Sequence, residues 1–219
     1  MQIDMRVLEL LSSKICHDLV SPISAINNGV ELIEDIGGSV VDEAMKLIGT
    51  SAGHAARRLR LFRMAYGRAG SDDNLTIKEV RQTAEQYLAS GKTMLNWPDD
   101  QPMLAAATRR GFLKVVLNLI ILSEEILAYG GVTTLRPLSQ PETVGCRLEI
   151  VGRGAQLTAL YQAAFEGTAA IEELSPRTVQ AYVTGCFAAN FGLDLKFEQT
   201  ATDRLDLVLS EPIAMPPPA

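Results

Sequence analysis

Three cysteines and two histidines in 219 residues leave few routes to covalent or metal-dependent chemistry. Cys16, Cys146 and Cys186 are scattered, odd in number and form no CxxC pair, which argues against a disulfide framework and against a zinc site. Basic runs are missing as well. With 26 acidic residues against 20 basic ones, a formal charge of −6 and a pI near 5.0, and no aromatics interleaved with cations, nucleic acid and anionic membrane surfaces are poor candidates as main partners. No window approaches ~18 uncharged apolar residues, so no membrane span is expected. The N-terminus carries no basic segment followed by an apolar run, and a cytoplasmic location is expected. What the chain does have is apolar content, 47%, enough for a sizeable core in one large or two modest domains.

The apolar residues Leu8, Leu11, Ile15, Leu19, Pro22, Ile26, Val30 and Ile33 recur at spacings of three and four, the mark of one buried helical stripe from about Asp4 to Asp35. His17 is off that stripe. The helical steps from it gather Ser13, Lys14, Ser21, Ser24, Asn28, Glu31 and Asp35, with Leu10 the one apolar exception. An imidazole there stands on a solvated face, beside the Asp18 carboxylate and a turn before Pro22, and can act as a nucleophile. Gly37-Gly38-Ser39 breaks the pattern, and a second helix follows from about Val41 to Tyr66, with Met45, Ile48, Ala52, Ala55, Leu59, Phe62 and Ala65 apolar. The two form an antiparallel hairpin in which residues whose numbers sum to about 76 face each other. His17 is thereby expected near Leu59, with Arg57, Arg58 and Phe62 in the same stretch. Those arginines fit either a docking contact with an acidic partner or a solvated face. His54 matches no motif. A lone hairpin leaves the edges of both stripes in water at a cost of ~25 cal/mol per Å2, so a twofold four-helix bundle of two copies is expected.

Gly67 to Asn74 reads as a polar linker dividing a helical domain, 1–70, from a second domain, 71–219. Beyond it the periodicity predicts helices near Ile77–Ser90, Arg109–Ala128, Leu157–Phe165 and Pro176–Phe191, the last with Ser175 as cap and Pro176 in its first turn. Strands are predicted near Thr93–Trp97, Val132–Leu138, Arg147–Val151, Asp194–Gln199 and Arg204–Leu209. Pro216-Pro217-Pro218 reads as a tail. The fold class is α+β: a helical hairpin followed by an α/β sandwich with helices on one face.

The segment Ile15-Cys16-His17-Asp18-Leu19-Val20-Ser21-Pro22-Ile23-Ser24-Ala25-Ile26 resembles the phosphoacceptor box of histidine kinase dimerisation domains. Those domains are followed in kinases by an ATP-binding α/β sandwich, the order seen here. The second half departs from the kinase pattern where nucleotide chemistry needs it. In Val116-Leu117-Asn118-Leu119-Ile120-Ile121-Leu122-Ser123 the position of the metal-chelating asparagine is Leu122, and leucine offers no oxygen to magnesium. In Ile150-Val151-Gly152-Arg153-Gly154, Ile150 replaces the aspartate that would bind adenine. Ala164 to Ser175 offers only Gly167 for a glycine-rich lid. Asn118, Gly152 and Gly154 then read as core and turn residues.

The whole, over roughly residues 8 to 210, resembles the ChpT-type histidine phosphotransferases, kinase-like dimers with a degenerate ATP domain. The resemblance implies that His17 takes a phosphoryl group from the receiver aspartate of a hybrid kinase and passes it to response-regulator aspartates. Asp18 would polarise the imidazole, and Lys14, Ser21, Arg57 and Arg58 would dock the receiver. No cofactor is expected on this chain, the receiver supplying Mg2+. Two rival readings stand beside this one: an ATP-dependent sensor kinase, which nucleotide binding would reveal, and a non-catalytic dimeric adaptor, which would not lose phosphotransfer on mutation of His17.

Overall fold

Asp4 starts the first helix, its carboxylate accepting from the Arg6 backbone N–H at 2.8 Å in the manner of an N-cap. In the computed structural model, which describes residues 4–71, 75–98, 110–138 and 143–211, this helix, α1, covers Met5–Asp35. It runs through Pro22 and stops before Gly37, whose φ of +61° a side chain rarely adopts. The second helix, α2, Val41–Ala65, returns antiparallel. A Cβ on Gly29 would lie 2.7 Å from Ile48 Cγ1, so glycine allows the two helices to close on each other here.

The sandwich begins with α3, Ile77–Leu88, opened by a capping box in which Thr76 and Glu79 satisfy each other's backbone N–H groups. Then come β1, Thr93–Asn96; α4, Phe112–Ile126; β2, Gly131–Pro137; β3, Gly145–Val151; α5, Ala159–Phe165; α6, Val179–Asn190; β4, Asp194–Ala201; and β5, Arg204–Ser210. The five strands form one sheet in the order β1-β2-β3-β5-β4, with β1 parallel to β2 and every other pair antiparallel. Helix α4 is apolar nearly all round, as a helix enclosed by the core must be, and Val115 to Ile120 are fully buried.

Two helices start three residues later than the sequence reading has them. The last helix begins at Val179 rather than Pro176: residues 176–178 form a turn in which Thr178 Oγ1 accepts from the Ser175 N–H at 3.0 Å, so threonine rather than serine makes the side-chain bond. Helix α4 starts at Phe112 behind Gly111, at φ +83°. Arg109, the linker's Asp72 to Asn74 and the prolines of the tail lie outside the described residues.

The hairpin is bonded into the sandwich at its open end, through the start of α1 and the end of α2. Lys114 Nζ donates to the Tyr66 and Gly67 carbonyls at 3.2 and 2.8 Å, and Asn118 Nδ2 to the Ala65 carbonyl at 2.8 Å. These satisfy carbonyls that the end of α2 leaves without an intrahelical donor. Asn118 is therefore structural. The Tyr66 hydroxyl donates to Gln180 Oε1 at 2.6 Å, and the Arg6 guanidinium donates to the carbonyls of Ile171, Glu172 and Leu174.

Candidate phosphotransfer site

The helical register that half-buries Leu11, Ile15 and Leu19 against the core turns His17 outward, and its side chain is 89% exposed. Asp18, one residue on, faces α2 and is 19% exposed. Its Oδ1 lies 3.4 Å from His17 Nδ1, and its Oδ2 lies 3.5 Å from Arg58 Nη1. The imidazole therefore has one nitrogen turned to a carboxylate and the other free. With the proton on Nδ1 held toward Asp18, Nε2 carries the lone pair that an incoming electrophile would meet.

An open pocket of about 310 Å3 lies beside this pair, lined by His17, Asp18, Ser21, Pro22, Ala25, Ser51, His54 and Arg58. Asp18 and Arg58 obey the hairpin's pairing rule. Ser21 is placed with His17, as the sequence suggested. Arg57 is not: it is absent from the pocket wall, and its Nε is buried without a hydrogen-bond partner. Lys14 is spent elsewhere, in an ion pair with Glu125 of the sandwich, their side chains 13% and 17% exposed. The residue opposite His17 by number, Leu59, is 54% exposed and does not reach the pocket. His54 and Ser51, which no motif marked, do.

Burial pushes the Glu125 carboxyl up to about 7, opposed by Lys14 and reinforced by Asp18 and Glu124. The unfolded chain ionises this group at an ordinary carboxyl pKa, so the folded protein binds the extra proton between that value and about 7. Stability should consequently fall as pH rises through that window, relative to Glu125→Gln. The gap should grow by at most about 3 kcal/mol between pH 4 and pH 8, measured as unfolding free energy of the two proteins across pH. Parallel curves would contradict the assignment.

The two positions that the resemblance sets against a kinase's nucleotide contacts are core residues. Leu122 and Ile150 are fully buried; Ile150 sits mid-sheet between Thr133 of β2 and Leu205 of β5. Neither presents an oxygen. An open pocket of about 630 Å3 is walled in part by the Lys14–Glu125 pair, Tyr161 and Arg177.

A profile of the Histidine phosphotransferase C-terminal domain matches residues 77–203, more than half of the chain. It belongs to the histidine phosphotransferase family. A curated relative, the Protein phosphotransferase ChpT of Brucella abortus (strain 2308), is 30% identical over 195 residues, 89% of this chain and 90% of the relative. A solved bacterial phosphotransferase superposes with a TM-score of 0.76 at 27% identity, over 95% of this chain and 98% of the other. The match extends through both the hairpin and the sandwich. The chain is thus a phosphotransferase of this family, with an α+β fold and a hairpin carrying the His17–Asp18 pair.

Proposed function

We propose that the chain relays phosphoryl groups between receiver domains through His17. The observation that carries this reading is the exposed imidazole whose Nδ1 is turned to Asp18, in a family of phosphotransferases. Nε2 attacks the phosphorus of a receiver's aspartyl phosphate; the N–P bond forms as the O–P bond breaks, and the receiver carboxylate leaves with the electron pair. The positive charge that develops on the ring is offset by Asp18. The reverse sequence delivers the group to the aspartate of a response regulator. Phosphoryl transfer asks mainly for in-line placement and charge neutralisation, and the receiver brings Mg2+. Ser21, Arg58 and the rim of the pocket are the docking surface nearest the imidazole. The reading divides the chain into a phosphotransfer hairpin, 1–70, and a sandwich, 71–219, that acts in the cytoplasm without ATP.

Incubation of the full chain with a phosphorylated receiver and no ATP should label the chain, and a second receiver with Mg2+ should remove the label. Failure to label would contradict the proposal. Asp18→Asn should slow both steps about tenfold or more without stopping them, since the attacking nitrogen remains. Calorimetry with millimolar ATP and Mg2+ should show no saturable heat, because Leu122 and Ile150 are closed apolar positions. A micromolar dissociation constant would instead favour an ATP-dependent kinase.

The same reading includes a homodimer. Cys16, Ile23 and Val30 on α1 are exposed at seven-residue spacing, as are Met45, Ala52 and Leu59 on α2. The antiparallel register brings the two rows level, and helical geometry sets both on the hairpin side away from His17. Seven-residue rows are the pattern of a packed helical seam, and a second copy supplies the same rows to meet them.

A further inference from the structure

Asp18 is not held by the hairpin alone. Its partner Arg58 is itself seated by the sandwich: the guanidinium carbon lies 5.3 Å from the centre of the Tyr87 ring, the arrangement of a cation–π contact. Tyr87, on α3, is buried, and its hydroxyl donates to Glu124 near the end of α4. That bond fixes the plane of the ring whose face Arg58 covers. A continuous line of contacts therefore runs from α4 through Tyr87, Arg58 and Asp18 to His17 Nδ1.

We propose that Tyr87 is a positioning residue for the phosphotransfer site, acting through Arg58 to hold Asp18 against His17 Nδ1, with Glu124 fixing the tyrosine. The inference rests on His17 being the phosphoacceptor. It gives the sandwich a task in the chemistry that needs no nucleotide: with Arg58 seated, one oxygen of Asp18 is engaged and the other is left to accept from Nδ1–H, which keeps Nε2 unprotonated for attack. Without the aromatic face, Arg58 is free to leave Asp18, and the imidazole loses its preference between the two neutral tautomers.

The test compares Tyr87→Leu, which removes the face, with Tyr87→Phe, which keeps it, and with Arg58→Met, in the full-length chain. Nitrogen-15 spectra at alkaline pH report the His17 tautomer, assigned by the signal lost in His17→Gln. The wild type and Tyr87→Phe should favour the Nδ1–H form, and Tyr87→Leu and Arg58→Met should shift toward Nε2–H. Single-turnover transfer from a saturating phosphorylated receiver should slow about tenfold in Tyr87→Leu, as expected for a displaced reacting group, and be largely restored in Tyr87→Phe. In the Arg58→Met background Tyr87→Leu should cause no further slowing. An unchanged tautomer in Tyr87→Leu and Arg58→Met, or an equal slowing by Tyr87→Leu with and without Arg58, would overturn the proposal. If the wild-type chain accepts no phosphoryl group, it is the relay reading that fails, and the tautomer comparison still decides whether Tyr87 orders the His17–Asp18 pair.

Discussion

Replacing Ile23 and Val30 together with glutamate should convert a dimer into a monomer that keeps its fold. Both side chains are exposed on the single chain, at 48% and 41%, so the hairpin itself loses little. In the proposed four-helix bundle each substitution would occur twice, and each charge buried without a partner costs about 1–3 kcal/mol or more. Four such charges raise the dissociation constant by at least about a thousandfold, since 1.4 kcal/mol is about a factor of ten. Light scattering at micromolar concentration should give twice the chain mass for the wild type and the chain mass for the variant. A wild-type monomer, or a variant that stays dimeric, would remove the seven-residue rows as the interface.

His17→Gln should lower the transfer rate by at least about a thousandfold, because the amide offers no nucleophile in place of the imidazole. The side chain is 89% exposed and carries no packing, so the unfolding free energy should change by less than about 0.5 kcal/mol. Stopped-flow transfer and a urea melt on the same protein separate the two effects. Retained transfer, or a large loss of stability with transfer per folded molecule unchanged, would mean that His17 is not the acceptor. His54→Gln makes the matched comparison: His54 lines the same pocket, and its loss should leave labelling in place.

The hairpin was readable because its geometry is local. Helical periodicity set the outward turn of His17, and the pairing rule about the Gly37-Gly38 turn put Arg58 in the stretch opposite it, though not the ion pair with Asp18 that Arg58 makes. Met45 and Leu59 belong to the apolar stripe of α2 and remain exposed on the single chain, as the edge of a lone hairpin's stripe was expected to be. A stripe does not say whether its cover comes from the same chain or from another. Lys14 shows the complementary limit. Three residues from His17 it looks like a docking charge, yet Glu125, far along the chain, takes it up.

Tyr87 and Glu124 were invisible for a related reason. Each sits in an unremarkable helical pattern, and only the folding of α3 and α4 against the end of the hairpin brings a buried ring under Arg58. Glu125 likewise reads as one more helix charge until burial raises its pKa. His54 and Ser51 reach the pocket because α2 is antiparallel to α1, with no motif to mark them. By contrast, the apolar character of Leu122 and Ile150 was legible at once, and both are buried in the core.

The most direct measurement is the location and chemistry of the phosphate. The full chain, mixed with a phosphorylated receiver in the absence of ATP, is examined by phosphorus-31 spectroscopy and by mapping the modified residue. The account predicts one phosphoramidate, on His17 Nε2, stable to alkali, labile to acid and discharged by a second receiver with Mg2+. A phosphate on His54 or on a hydroxyl or carboxylate, or a label that appears only when ATP is the donor, would contradict it.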